Sequence, residues 1–373
     1  MALTKPYAFL AGQAGPSPTP TPIPTNQWDG VLGTGFTGTR VWGTTVLSDG
    51  GLIVNGYNIS NYKGVFTGAE HLKLDASGNI DSTYTARSFN SAGAYRSIEL
   101  DGAIYTVGFW TDTTPNRFMK TDLTTGAINS TFSSNVGNNL NGSIRGITTD
   151  GTSIYIAGAF SSPQTRIAKY SKDGVRDTGW TANANGYVYA IEYDSFDDTL
   201  ILGGEFTSVN GTSRNYIAKL NLDGTLNSWY PSVSGFTSTI IPKGDGDVFI
   251  GAVATQPKVV NSSGTTVSSF GTSTNWSDSA YYGGINSDGN YVSPLPYTTA
   301  TFDATNVADK AYVIFDKNGF ISAHGAIDSN ANHNAFSISV NDDWTVAAGT
   351  FTIIDSTAKG LVALFNPSGV LQS

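Results

Sequence analysis

An aromatic residue recurs along this chain at Phe36, Tyr84, Phe132, Trp180, Trp229 and Phe270, at gaps of 48, 48, 48, 49 and 41 residues. Between successive aromatics the text repeats. An alternating apolar stretch leads to a turn of Asp-Gly character, a short apolar run, and a second turn with Gly. The clearest copy reads Asp198-Thr-Leu-Ile-Leu-Gly-Gly-Glu-Phe206 and then Tyr216-Ile-Ala-Lys-Leu-Asn-Leu-Asp-Gly-Thr-Leu226. A fixed period of this length marks a modular array, because one unit cannot bury its apolar face alone and stacked neighbours can.

The Asp-Gly or equivalent pairs fall at Asp49-Gly50, Asp101-Gly102, Asp150-Gly151, Asp197-Asp198, Asp245-Gly246, Asp288-Gly289 and Asp342-Asp343. Each precedes a short strand: Leu52–Val54, Ile104–Val107, Ile154–Ala157, Leu200–Leu202, Val248–Ile250, Tyr291–Val292 and Thr345–Ala347. The second turns carry Gly78, Gly126, Gly174, Gly224, Gly264, Gly319 and Gly369, where a tight hairpin needs positive φ. Strand, turn, strand, loop, strand, turn, strand predicts four antiparallel strands per unit. Seven such units arranged radially give an all-β, seven-bladed β-propeller of four-stranded antiparallel blades over residues 27–373. A ring must join its ends. The segment Asp29–Phe36 matches the unit ending Asp223–Trp229, so Val31–Phe36 is expected to supply the last blade's outer strand, or else to lie beside Val370–Gln372.

Composition bounds the function classes. The net charge of −9 and the absence of any Lys/Arg cluster argue against nucleic acid, whose phosphates such a chain repels. Cysteine is absent, which removes disulfides and thiolate metal sites. No run approaches the ~20 apolar residues of a bilayer-spanning helix. The opening Met1–Leu10 is interrupted by Pro6 and lacks the ~7–15-residue apolar core of an export signal, so use without export and without membrane insertion is expected.

Residues 1–26 differ from the rest. Pro16, Pro18, Pro20, Pro22 and Pro24 alternate with Ser, Thr and Ile, which favours an extended spacer. Ahead of it sits a small apolar cluster of Leu3, Tyr7, Phe9 and Leu10. A stiff spacer with a sticky tip reads as an attachment arm, and a solvated tail is the plainer alternative.

Two strings carry a resemblance. Leu202–Leu226, and Ala157–Phe160 with Arg166–Gly174, are similar to the delta-60 type of β-propeller repeat. That likeness implies a propeller with a binding or structural role and brings no catalytic residues. The leader Leu3-Thr-Lys-Pro-Tyr-Ala-Phe-Leu-Ala-Gly12 resembles those of some bacteriophage virion proteins, in which a short arm docks on the particle. The resemblance implies a virion location, with other virion proteins as partners through residues 1–26 and a host glycan or receptor as a further contact.

Chemistry-bearing constellations are sparse. Glycoside hydrolysis needs two placed carboxylates, and the chain has four Glu: Glu70, Glu99, Glu192 and Glu205. The histidines His71, His324 and His333 are scattered, and a hydrogen-bonded structural role suits them better than a metal or triad. Asp194, Asp197 and Asp198 crowd one turn, as do Asp245/Asp247 and Asp342/Asp343. Calcium is conceivable there, but ordinary turn chemistry explains them. No cofactor is implied. The periodic aromatics are expected between blades, whereas Trp110, Trp276, Tyr281, Tyr282 and Tyr297 fall off the pattern and form a candidate contact surface. The leading expectation is a non-enzymatic virion protein. A bacterial surface carbohydrate-binding propeller comes second, and a glycan hydrolase third.

Overall fold

The computed structural model describes residues 36–89, 93–111, 117–253, 255–270, 282–294 and most of 301–371, the exceptions there being 303–304, 307–309, 317, 319, 327–334, 341–343, 351–352, 355–356, 359 and 367–369. The arm residues Leu3, Tyr7, Phe9 and Leu10 and the segment Val31–Gly35 lie outside the described residues.

Among the described residues, apart from three two-stranded hairpins, the strands pair into seven antiparallel sheets. Their first three strands are Phe36–Val46, Leu52–Tyr62 and Val65–Leu74 in the first sheet, and Gly93–Leu100, Ala103–Phe109 and Phe118–Asp122 in the second. The third sheet has Ile144–Thr149, Ser153–Gly158 and Ile167–Ser171; the fourth has Val188–Asp194, Thr199–Gly204 and Ile217–Asn221. Thr237–Pro242, Val248–Ala252 and Lys258–Val260 make the fifth, followed by Gly284–Ile285, Tyr291–Pro294 and Lys310–Phe315 in the sixth. The seventh holds Ala335–Val340, Thr345–Gly349 and Val362–Phe365. Every short strand expected from sequence falls within the second strand of its sheet. Those runs are mostly apolar because both of their faces are covered, as in Thr199–Gly204, where all six residues are buried.

The turns follow the expected chemistry. Gly78, Gly126, Gly174, Gly224 and Gly264 all take φ between 66° and 88°. In the fourth unit Asp198 takes the left-handed conformation (φ 54°) that Gly holds at most equivalent turns.

The expectation of four strands per unit needs correcting. Among the described residues only the fifth and sixth sheets have a fourth strand, Thr266–Ser269 and Phe320–Ala326. Elsewhere the outer segment touches its sheet through isolated bridges, Leu74–Ile80 and His71–Arg87, Thr121–Ile128, Tyr170–Arg176, Leu220–Leu226 and Phe365–Leu371. The cause is local. Asp81 accepts the amide of Thr83 (2.9 Å), Asp177 that of Gly179 (3.0 Å) and Asn227 that of Trp229 (2.9 Å). Each such side-chain turn bends the backbone off the ladder and drops the next aromatic inward. In the second unit Asn129 instead caps the one helix among the described residues, Ser130–Val136, by accepting the amide of Phe132 at 2.9 Å.

The six periodic aromatics are all buried, as expected. Each sits in a core shared by two sheets: Tyr84 with Ile53 and Ile104, Phe132 with Tyr105 and Ile156, Trp180 with Tyr155 and Leu200, Trp229 with Ile201 and Val248, Phe270 with Phe249 and Phe315. The core around Phe36 draws on the first sheet and the seventh, through Val346 and Leu364. Those same two sheets are joined by a bond from the Phe36 amide to the Gly360 carbonyl (2.8 Å) and by Thr44 Oγ1 to Ser339 Oγ (2.8 Å). Phe36 thus begins the first sheet, and it is Leu371 that bridges the seventh sheet's outer side. No helix among the described residues is long and apolar enough to cross a membrane.

Candidate functional site

First strands begin and second strands end at the same end of the sheets, here the loop end; the hairpin turns lie at the opposite turn end. In six sheets the first strand breaks register near its start, between Val41/Gly43, Ala94/Arg96, Ile144/Gly146, Val188/Ala190, Thr237/Thr239 and Ala335/Ser337. The residues skipped are Trp42, Tyr95, Arg145, Tyr189, Ser238 and Phe336. A bulge leaves its extra residue unpaired and re-aims the side chain. Small neighbours allow the first strands to crowd together. A Cβ on Gly43 would lie 2.5 Å from the Tyr95 carbonyl oxygen, and one on Gly146 would lie 3.0 Å from the Ile191 amide.

The bulged side chains converge. Trp42 meets Tyr95 edge-on (centroids 5.3 Å) and Phe336 at 5.2 Å. Arg145 lies 4.4 Å over the Tyr95 ring and 5.8 Å over Trp42, while Arg40 covers Trp42 at 4.7 Å. Beside this cluster Arg96 grips Glu192 with both terminal nitrogens, the second at 3.1 Å, joining the second sheet to the fourth past the third. Arg96 also stands 4.5 Å over the ring of Tyr282, whose hydroxyl donates to the Arg145 carbonyl and whose own carbonyl accepts from Ile338 at 2.9 Å. Burial raises the Glu192 carboxyl above the usual carboxylate range against the pull of Arg96. Side chains from non-neighbouring sheets therefore meet at one place and cross-link there.

Each Glu is an acceptor in a contact between segments. Glu70 receives the Phe89 amide (2.7 Å), Glu99 the Ser48 amide (2.7 Å), Glu192 holds Arg96, and Glu205 takes the Tyr189 hydroxyl. The crowded turn aspartates face an ammonium group. Lys219 Nζ sits 2.9 Å from Asp194 and 3.0 Å from Asp197, with Lys219 and Asp194 both buried, and Asp198 accepts from Tyr193 (2.6 Å). His71 is buried between Asn55 (2.8 Å) and Tyr84 (2.7 Å), and burial, with Arg87 nearby, lowers its pKa to about 3.

Of the expected contact aromatics, Trp110 is fully buried, stacked on Phe89 at 4.5 Å. Its ring fills the space over Gly108, which places it in the core and corrects the surface assignment. Tyr282 is also buried, and it belongs to the cluster with Arg96 and Arg145. Trp276, Tyr281 and Tyr297 lie outside the described residues. Sequence reasoning missed Trp42, Tyr95, Arg96, Arg145 and Glu192. The available signal was a bulky residue followed by a small one at the head of several units, as in Trp42-Gly43, Arg145-Gly146 and Tyr189-Ala190.

The family model described as "Domain of unknown function (DUF5122) beta-propeller" matches residues 153–179 and 197–228. Among solved structures, the WD40 β-propeller domain of Doa1 superposes with a TM-score of 0.56 at 11% identity, over 88% of this chain and 94% of that one. This chain is a β-propeller repeat protein. A computationally designed protein, Ika8, superposes at 0.53 with 13% identity, over 89% of this chain and 97% of that one. No curated protein sequence matches. At such identities the likeness speaks for the fold alone.

Proposed function

We propose that the chain is a closed, seven-bladed propeller serving as a non-catalytic recognition platform on a bacteriophage virion, mounted by residues 1–26 and used for protein–protein or host-receptor contact. The observation that carries the platform reading is the cross-linked axis: Arg96, Glu192, Tyr282 and Arg145 occupy one another there. An axis filled in this way is a rigid hub, and recognition falls to the faces around it. Closure is supported by the shared core and hydrogen bonds of the first and seventh sheets. The mounting role is supported by the leader's sequence and by the Pro-rich spacer.

Deleting residues 1–26 tests the assignment. The truncated protein is expected to melt as the full chain does and to be missing from purified particles. Truncated protein found in particles at full-length abundance would sink the mounting role.

A further inference from the structure

The two ends of the sheets carry opposite electrostatic arrangements, and this identifies a docking face. At the turn end the lysines are neutralised: Lys73 with Asp49 (2.5 Å), Lys172 with Asp101 (2.5 Å), Lys219 with Asp194 and Lys243 with Asp245 (3.3 Å). At the loop end Lys258 donates to the Ser232 carbonyl (2.7 Å), Glu205 accepts from the Tyr189 hydroxyl, and several arginines stack on rings. Arg166 lies 4.8 Å over Tyr187, Arg214 4.7 Å over Tyr230 and Arg40 4.7 Å over Trp42.

None of these three guanidinium groups has a carboxylate within 4.0 Å among the described residues. Arg166 donates to the Ala159 carbonyl, and Arg214 to the carbonyls of Ser213 (3.0 Å) and Asn227 (3.3 Å). Carbonyl oxygens orient a guanidinium without cancelling its charge. The fixed positive charge of this end stands out in a chain of net charge −9.

The rings beside these arginines are unusually open. Tyr187 is 44% exposed, Tyr230 39% and Phe236 38%, the last meeting Tyr216 at 5.5 Å. Arginine and aromatic rings are enriched, and lysine depleted, where proteins bind proteins. Arg166 adopts φ 70° and Tyr216 φ 68°, each directly before the third strand of its sheet. A bulky residue held there is strained.

We propose that the loop end over the third to fifth sheets is the docking face for an acidic protein surface, whose carboxylates pair with Arg166 and Arg214 while its apolar side chains cover Tyr187, Tyr230 and Phe236. The inference rests on the platform reading and gives the partner its chemistry. A guanidinium already oriented by carbonyls forms bidentate carboxylate contacts at little entropic cost. Complementary charge also speeds encounter and rejects basic partners.

The test uses the full chain and a fluorescein-labelled peptide of alternating Glu and Tyr, with Gln-Tyr and Lys-Tyr counterparts, read by anisotropy. The Glu peptide is expected to bind and to weaken between about 0.05 and about 0.5 M salt. Binding should fall about tenfold in the double variant Arg166→Gln/Arg214→Gln. The Arg→Lys double variant should fall between, and Lys172→Gln at the turn end should match wild type. Thermal melts confirm that each variant is folded, and the Lys pair covers the case in which the Gln pair is not. Failure of the Glu peptide to bind, equal binding of the Gln peptide, or an unchanged double variant overturns the proposal. So does sodium alginate displacing the peptide at lower carboxylate concentration, which would assign the face to an acidic glycan. Particle incorporation of the Gln double variant is expected to be normal, so this proposal and the mounting role fail separately.

Discussion

Lowering the pH from 7.5 to 5 should weaken the fold through His71. The imidazole is completely buried in a polar chain that spans the first two sheets. Asn55 Nδ2 donates to Ser97 Oγ (2.9 Å), leaving Asn55 Oδ1 to accept from His71 Nδ1, and Tyr84 donates to Nε2 while bonding Thr121 (3.0 Å). A second ring proton has neither solvent nor a carboxylate to meet, and Arg87 adds repulsion, so the folded pKa drops from 6.5 to about 3. The unfolded chain therefore binds the proton first. The stabilisation is fully present above about pH 6.5 and is lost as pH falls toward 3. Each pH unit in that window removes about 1.4 kcal/mol, hence roughly 2 kcal/mol by pH 5 and on the order of 5 kcal/mol at the limit. Chemical denaturation of wild type and His71→Gln, at pH 7.5, 6.5, 5.5 and 5, measures it. The variant should be weaker at pH 7.5 but decline more gently below pH 6.5. Ring carbons of His71 should hold their neutral shifts at pH 5. Parallel pH slopes in the two proteins, or a His71 titration near 6.5 in the folded state, would refute the reasoning.

Replacing Gly43 by Ala puts a methyl 2.5 Å from the Tyr95 carbonyl oxygen. It should lower stability by about 1–3 kcal/mol, whereas Gly179→Ala, with nothing nearer than 3.4 Å, should stay near wild type in the same melt. Glu192→Gln leaves the Arg96 charge without its partner and should cost about 3 kcal/mol. The double variant Glu192→Leu/Arg96→Met should recover part of that loss, and a double-mutant cycle reads the coupling. Lys219→Met strands the buried carboxylate of Asp194 and should cost about 3–5 kcal/mol, with partial recovery on adding Asp194→Asn; additive losses would deny the pairing.

What sequence made legible is what the 48-residue text controls directly. Turn glycines announce positive φ, apolar runs such as Leu200–Leu202 announce covered strands, and Phe36, Tyr84, Phe132, Trp180, Trp229 and Phe270 announce the interfaces they fill. The outer strand misled because alternation at Ile80 or Leu226 looks like a ladder, while Asp81 and Asn227 nearby divert the amides that a ladder needs. The axial cluster was hidden for a related reason. Alternation assumes unbroken pairing, and Trp42, Tyr95 and Arg145 owe their position to bulges that break it. Trp110 departs from the pattern yet is buried, because Gly108 opens a slot that only a three-dimensional packing reveals.

Units five and six are the ones that complete four strands among the described residues. Their shared core stacks Phe249, Phe270 and Phe315 with centroids at 6.4, 5.4 and 4.7 Å, joined by Tyr291 at 5.7 Å. The cores of units three and four also hold several rings, Phe160 with Phe132 and Tyr170, and Phe206 with Tyr155 and Trp180. The sixth sheet's short first strand, Gly284–Ile285, is then tied by Tyr282 to the seventh sheet through Ile338 and to the third through the Arg145 carbonyl. Loss of the Tyr282 hydroxyl or of Arg96 should accordingly loosen this region ahead of the text-rich units, with hydrogen exchange rising first at Gly284–Ile285 and Tyr291–Pro294. Uniform exchange around the array would mean that the axis contributes no such tie.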